Sequence, residues 1–174
     1  MTVARFWERS WRYDARVRIV ADRHYSRLRP GAPGFVGSGR PLVLRSLDGS
    51  AVWVSLWQPR PTHAWPESWA NVLFRNEGAT RASDLIREAV AITRHEWGEP
   101  LRDGFVTFID PAKVRPKRTP GHCYVIAGWR EAGVTTRGLL VMRLDPTAFG
   151  EPVRPREAQC NLFENWLTDR TAEE

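Results

Sequence analysis

A chain of 174 residues, 42% hydrophobic, with 13 glycines and 13 prolines, suits one folded domain with its own core rather than a disordered segment. The formal charge is +6, and only Lys113 and Lys117 are lysines, so the positive charge is nearly all arginine. Cys123 and Cys160 are too few for a disulfide framework, and His24, His63, His95 and His122 lack metal-ligand spacing. No run approaches the ~20 apolar residues that span a bilayer, which sets aside the disulfide-scaffold, structural-metal and membrane classes.

Met1 to Arg9 carries no apolar signal region, so the expectation is a soluble, unprocessed, cytoplasmic protein. The arginine bias together with nine tryptophans favours a polyanionic partner, because the guanidinium forks onto phosphates and stacks on rings. A GC-rich genome enriches arginine as well. Residues 14 to 24 then place Val17, Val20, Ala21 and His24 on one helical face, with Asp14 as N-cap. His24-Tyr25-Ser26-Arg27 leads into residues 30–39, too rich in proline and glycine for a regular element and read as a binding loop.

Arg40–Leu47 and Ser50–Trp57 are β-rich runs joined at Asp48-Gly49, the signal of a two-residue hairpin. Ala70–Arg75 reads as a third strand, and Asn76–Ala82 as a polar loop. Ser83 then caps a helix with the stripe Leu85, Ile86, Ala89, Val90 and Thr93, ended by Gly98. An apolar strand, Gly104–Ile109, closes on Asp110. After it come the basic loop Lys113–Arg118, a short helix at Tyr124, a last strand over Gly138–Leu144 and a C-terminal extension, 151–174, in which Leu162, Phe163 and Trp166 could pack back. The whole reads as a single α/β (α+β) domain over 1–174 without internal repeats.

Asp110 and Tyr124 are the pair of greatest chemical interest. A strand that ends in a carboxylate, followed by a helix bearing a phenol, brings a proton acceptor and a proton donor to one sheet edge, as an acyl- or alkyl-transfer site requires. Both residues also suit plain structural work, Asp110 as a turn cap and Tyr124 as a satisfied core residue.

The element order resembles the GNAT acyltransferase fold, which implies a central mixed, mostly antiparallel sheet flanked by helices. In that family a loop before a helix cradles the cofactor pyrophosphate, and a tyrosine four residues before Gly-aromatic protonates the leaving thiolate. Tyr124 stands at that position relative to Gly128-Trp129. The cradle falls on Arg75-Asn76-Glu77-Gly78-Ala79-Thr80, which implies that Arg75, Gly78 and Arg81 bind the cofactor. Thr80 replaces the family's final small residue, and Glu77 adds negative charge, so acetyl-CoA is expected to bind poorly. The donor is otherwise unknown, a related acyl donor being one option.

A narrower resemblance covers roughly residues 20–144. His24-Tyr25-Ser26-Arg27 before the Pro/Gly loop, Gly39–Leu44, the strand ending in Asp110, and Pro120–Tyr124 with Ala127-Gly128-Trp129 look like the Mom-type DNA-modification proteins of bacteriophages. That family places a carbamoylmethyl group on the N6 amine of adenine and so protects phage DNA from restriction. The resemblance implies a transferase on double-stranded DNA in the host cytoplasm, with Asp110, Tyr124 and Ser83 catalytic and His24, Tyr25 and Ser26 binding substrate. His122 departs from the family, where an aromatic precedes the cysteine, so the catalytic position is either His122 or Tyr124.

Trp53, Trp57, Trp65 and Trp69 are offered as stacking faces for the extruded base, and Lys113, Arg115, Lys117 and Arg118 as a phosphate clamp. Two alternatives stand beside this reading. One is a conventional acetyl-CoA-dependent N-acetyltransferase on a small amine or a protein lysine; the other is a non-catalytic DNA-binding module. The oligomeric state stays open, a homodimer among the options.

Overall fold

A computed structural model describes residues 2–114 and 119–158. The chain folds as a mixed α/β structure around an open eight-stranded sheet. The strands are β1 (Thr2–Ser10), β2 (Arg40–Ser46), β3 (Ala51–Trp57), β4 (Ser68–Asn76), β5 (Gly104–Ile109), β6 (Arg130–Val134), β7 (Leu140–Leu144) and β8 (Val153–Glu157), and the helices are α1 (Ala15–Ala21), α2 (Ala82–Trp97) and α3 (His122–Ile126). In space the order is β6-β7-β5-β4-β3-β2-β1-β8. Neighbours are antiparallel except for β4 with β5 and β1 with β8, so the sheet is mixed and mostly antiparallel, as expected.

Alternation along the strands assigns the two faces. Val43, Val52, Val54 and Leu73 pack under Val17, Val20 and Ala21 of α1. Leu42, Leu44, Trp53, Trp69 and Phe105 point the other way, against Leu85, Ile86, Ala89 and Val90 of α2. Asp14 accepts from the Arg16 amide at 2.9 Å, as its cap position predicts, and Gly98 ends α2 at φ +89°, where a side chain would be strained.

Several expectations need correction. The hairpin turns over four residues, Leu47–Ser50, because the register Arg45↔Val52 sets the ladder beyond Asp48-Gly49. Ser83 does not cap α2: the N-cap is Arg81, which offers no side-chain bond, and Ser83 is buried inside the first turn. The last expected strand starts at Leu140 and is followed by another.

Three strands escaped the periodicity reading. In β1 the buried residues are Ala4 and Trp7, three apart, because the pairing with β8 shifts between Val3 and Glu8. At that shift the Arg5 and Phe6 amides donate to the Glu88 carboxylate of α2, at 2.6 and 2.7 Å. β6 is an almost wholly exposed edge strand, and β8, the start of the expected extension, carries Pro155, which only an edge strand tolerates. The positions of Leu162, Phe163 and Trp166 lie outside the described residues. Among those described, no helix is long and apolar enough to cross a membrane.

Candidate active site

The parallel pair β4 and β5 is hydrogen-bonded from Ser68↔Gly104 to Asn71↔Thr107 and no further, although β4 continues to Asn76 and β5 to Ile109. Past that rung the strands part. A cleft of about 600 Å³ opens between them and runs through the sheet, with His24, Tyr25 and Phe108 on the α1 side and Ala82, His122 and Tyr124 on the α2 side.

Asn71 organises its floor. β4 holds one extra residue, Val72, opposite Val54-Ser55, and the bulge leaves backbone carbonyls for a side chain to satisfy. Asn71 Nδ2 donates to the carbonyls of Val54 (3.1 Å) and Leu73 (3.0 Å). Carbonyls only accept, so the amide orientation is settled and Oδ1 faces away from them. The Tyr124 hydroxyl donates to that Oδ1 at 2.6 Å, and the Thr107 hydroxyl donates to the Asn71 carbonyl at 3.1 Å. Burial pushes the Tyr124 phenol well above its usual range, so it keeps its proton. Gly121, at φ +75°, lets α3 start close to the sheet: a Cβ there would lie 3.2 Å from Ile109 and Met142.

The rim is built by the turn after α1. His24 and Tyr25 stack with centroids 4.3 Å apart, and the Tyr25 hydroxyl accepts from the Asp110 amide at 3.3 Å, tying this turn to the end of β5. The Asp110 carboxylate accepts from the Ala112 amide at 3.0 Å and so caps a 3₁₀ turn, Pro111–Lys113, between the lining residues Ile109 and Val114; Asp110 itself does not line the cleft. His24 Nδ1 accepts from the Ser26 amide at 3.2 Å, which places the ring proton on Nε2. Burial, then the nearby Arg75, lowers His24 to a pKa of about 4, so it is neutral at pH 7. Ser26 acts through His24 rather than lining the cleft.

The expected cofactor residues are differently employed. Arg75 Nε donates to Glu77 Oε1 at 2.5 Å and its Nη1 to the Arg23 carbonyl at 2.7 Å, while Arg23 donates to both Glu77 oxygens. These bonds, that from Arg23 foremost, hold the Glu77 carboxyl at about 2. Glu77 is thus neutralised, and Arg75 is not turned toward a ligand. The Gly78 amide donates to Asn76 Oδ1, and a Cβ at Gly78 would stand 2.1 Å from Ser50 Oγ, so glycine is needed there for packing on the hairpin loop. Arg81 is exposed beside the start of α2, where Ala82 and Asn76 line the cleft.

Trp53, Trp57 and Trp69 are corrected as stacking faces, Trp69 being fully buried in the core on the α2 face. Odd-numbered positions of β3 face α2, so Trp53 is fully buried with Nε1 on Ser55 Oγ, and Trp57 packs on Trp69 and Trp97. Ser83 is buried in α2 and outside the cleft lining. Lys113 ends the 3₁₀ turn near Asp110, whereas Arg115, Lys117 and Arg118 lie outside the described residues. Asn71, Thr107 and Phe108 were missed by sequence reasoning. The signal for Asn71 was present: an uncharged polar residue inside the apolar run Ala70–Phe74, which burial demands be hydrogen-bonded.

Comparison of the chain with protein-family models, with curated proteins and with solved structures finds no match.

Proposed function

We propose that this protein is a GNAT-like group transferase of the Mom type, acting on the N6 amine of adenine in double-stranded DNA. The observation that carries the reading is the through-sheet cleft between the parting strands β4 and β5, with the Tyr124 phenol at its floor and Asp110 next in sequence to the lining residue Ile109, its amide bonded to Tyr25 of the rim. The +6 charge and its arginine content support a polyanionic partner.

An exocyclic amine is a weak nucleophile because its lone pair is delocalised into the ring, and in duplex DNA the base must first be extruded at a cost of a few kcal/mol. In the step proposed, the amine nitrogen bonds to the electrophilic carbon of the donor as the bond from that carbon to the leaving group breaks. Asp110 takes the amine proton. Tyr124, released from Asn71 Oδ1 by rotation of its hydroxyl, gives a proton to the leaving group, and its burial ensures that the proton is there to give.

The measurement is mass spectrometry of nucleosides from DNA co-expressed with the protein. A modified deoxyadenosine is expected, reduced about 10²- to 10⁴-fold in rate by Asp110→Asn or Tyr124→Phe. Wild-type levels in either variant remove that residue from the mechanism, and unmodified DNA with the wild type removes the reading. The start of α2, uncapped by any side chain and lining the cleft through Ala82, favours the conventional acetyltransferase as second reading. Calorimetric binding of acetyl-CoA at micromolar strength, about −8 kcal/mol, would put that reading first.

A further inference from the structure

We infer that the α1-side mouth of the cleft is a stacking subsite for one planar heteroaromatic ring, with Phe108, backed by His63 and Trp65, as one wall and Tyr25, backed by His24, as the other. The inference rests on the transferase reading for the identity of that ring as a nucleobase, but its geometry is independent of it.

Phe108 is on the α1 face of β5, since Phe105 and Ile109 of the same strand belong to the cluster packed on α2 and the side chains alternate. It is only half buried and lines the cleft. Behind it the loop between β3 and β4 brings His63 to 5.4 Å and Trp65 to 6.5 Å between ring centroids, and those two rings lie 6.3 Å apart. Such a loop cluster serves no core: none of the three rings belongs to either buried cluster of the molecule.

The opposing wall comes from a different part of the chain. Tyr25 is 43% exposed although it is stacked on His24 and anchored by its hydroxyl to the Asp110 amide. Asp110 is two residues beyond Phe108, just past the end of β5 and about 7 Å on, so the two aromatic walls meet the same short stretch of cleft. Anchored aromatic residues left exposed in a concave site are surfaces for another flat, apolar face, because every base presents one.

The through-sheet cleft also separates the two reactants. The start of α2, which suits an anionic donor, is on the opposite face from Phe108 and Tyr25. An acceptor ring entering from the α1 side and a donor entering from the α2 side would meet at the Asn71–Thr107 rung, beside the Tyr124 hydroxyl. Trp53, buried, and Trp57, partly buried, both stand on the α2 face and cannot contribute to this subsite.

The test is a fluorescence titration of the full chain with 2-aminopurine deoxyribonucleoside monophosphate, whose emission is quenched on stacking, with deoxyribose 5-phosphate as the ringless competitor. Wild type is expected to quench the probe without competition from the sugar phosphate. Phe108→Leu and Trp65→Leu should each weaken binding about tenfold or more, the scale of one lost base–ring stack. Absence of quenching in wild type, or affinities for both variants equal to wild type, overturns the subsite. Should Phe108→Leu fail to fold, Trp65→Leu, in a loop, decides the matter alone. If the probe binds as expected but DNA is never modified, the subsite stands and the DNA-transferase reading falls. If DNA is modified by both variants with unchanged KM, the subsite falls and that reading stands.

Discussion

The two halves of the β4–β5 pair share one ladder and differ in everything else. Below the Asn71–Thr107 rung the strands are hydrogen-bonded, and Trp69 and Phe105 are fully buried against α2 and Phe149. Above it the same strands separate, and Tyr25, Val72 and Phe108 border open space. Aromatic residues are therefore core or site according to which side of one rung they occupy. Asn71 marks the border because its side chain replaces the ladder bonds that the bulge removes.

The sharpest way to break the contrast is to truncate an aromatic residue on each side of the rung. Trp69→Ala should cost about 3–5 kcal/mol, read by urea or thermal unfolding, because it leaves a large void in a close-packed region. Trp69→Phe should cost much less, since among the described residues the buried Trp69 indole N–H has no hydrogen-bond acceptor to lose. Phe108→Leu, above the rung, should cost less than about 1.5 kcal/mol. Equal costs for Trp69→Ala and Phe108→Leu would mean that the two halves are not distinct.

Next in size is Asn71→Ala, which strands two backbone carbonyls and the Tyr124 hydroxyl. A loss of at least about 2 kcal/mol is expected, together with loss of transfer activity. Asn71→Asp separates the two effects, because a carboxylate can still accept from Tyr124 but cannot donate to the Val54 and Leu73 carbonyls. If Asn71→Ala unfolds at the wild-type midpoint, the border is held by something else.

The smallest expected effects depend on pH. His24 has a folded pKa of about 4, below its unfolded 6.5, so its contribution is fully present above pH 6.5 and is lost as pH falls through 4. Glu77 has a folded value of about 2 against 4.5 unfolded, so the Arg23–Glu77–Arg75 contribution is present above pH 4.5 and lost as pH falls through 2. Melting temperature against pH should therefore flatten between 6.5 and 4 in His24→Gln, and only below 4.5 in Glu77→Gln. Both groups are partly solvated, which keeps the changes modest. A His24→Gln profile parallel to wild type would show that the rim histidine is not held neutral by its surroundings.

Where local chemistry governs an element, its residues were enough to find it. Asp14 caps α1, the stripe from Leu85 to Val90 builds α2 up to Gly98, and the apolar runs of β2, β3, β4 and β5 stand close to where alternation puts them. β1, β6 and β8 were illegible for three physical reasons: a register shift, a solvated edge, and a proline that only an edge accepts. In the site, the closeness of Asp110 and Tyr124 in sequence suggested a shared edge, yet Tyr124 lies at the cleft floor while Asp110 caps the turn after β5, outside the cleft lining. Trp53, Trp57 and Trp69 sit in strand runs whose composition is the same for core and platform, and only strand pairing decides which way a side chain points.

The sequence alone determined the α/β class, the places of α1, α2 and the central strands, and the arginine-borne charge, because these depend on composition and on periods of two or 3.6 residues. Only the tertiary structure decided that β4 and β5 part after Asn71, that Asn71 Oδ1 accepts the hydrogen bond of the Tyr124 hydroxyl, that the Glu77 charge is balanced by Arg23 and Arg75, and that the Tyr25 hydroxyl accepts from the Asp110 amide. Each of these joins groups distant along the chain or turns on a single-residue bulge, and neither leaves a periodic trace in the sequence.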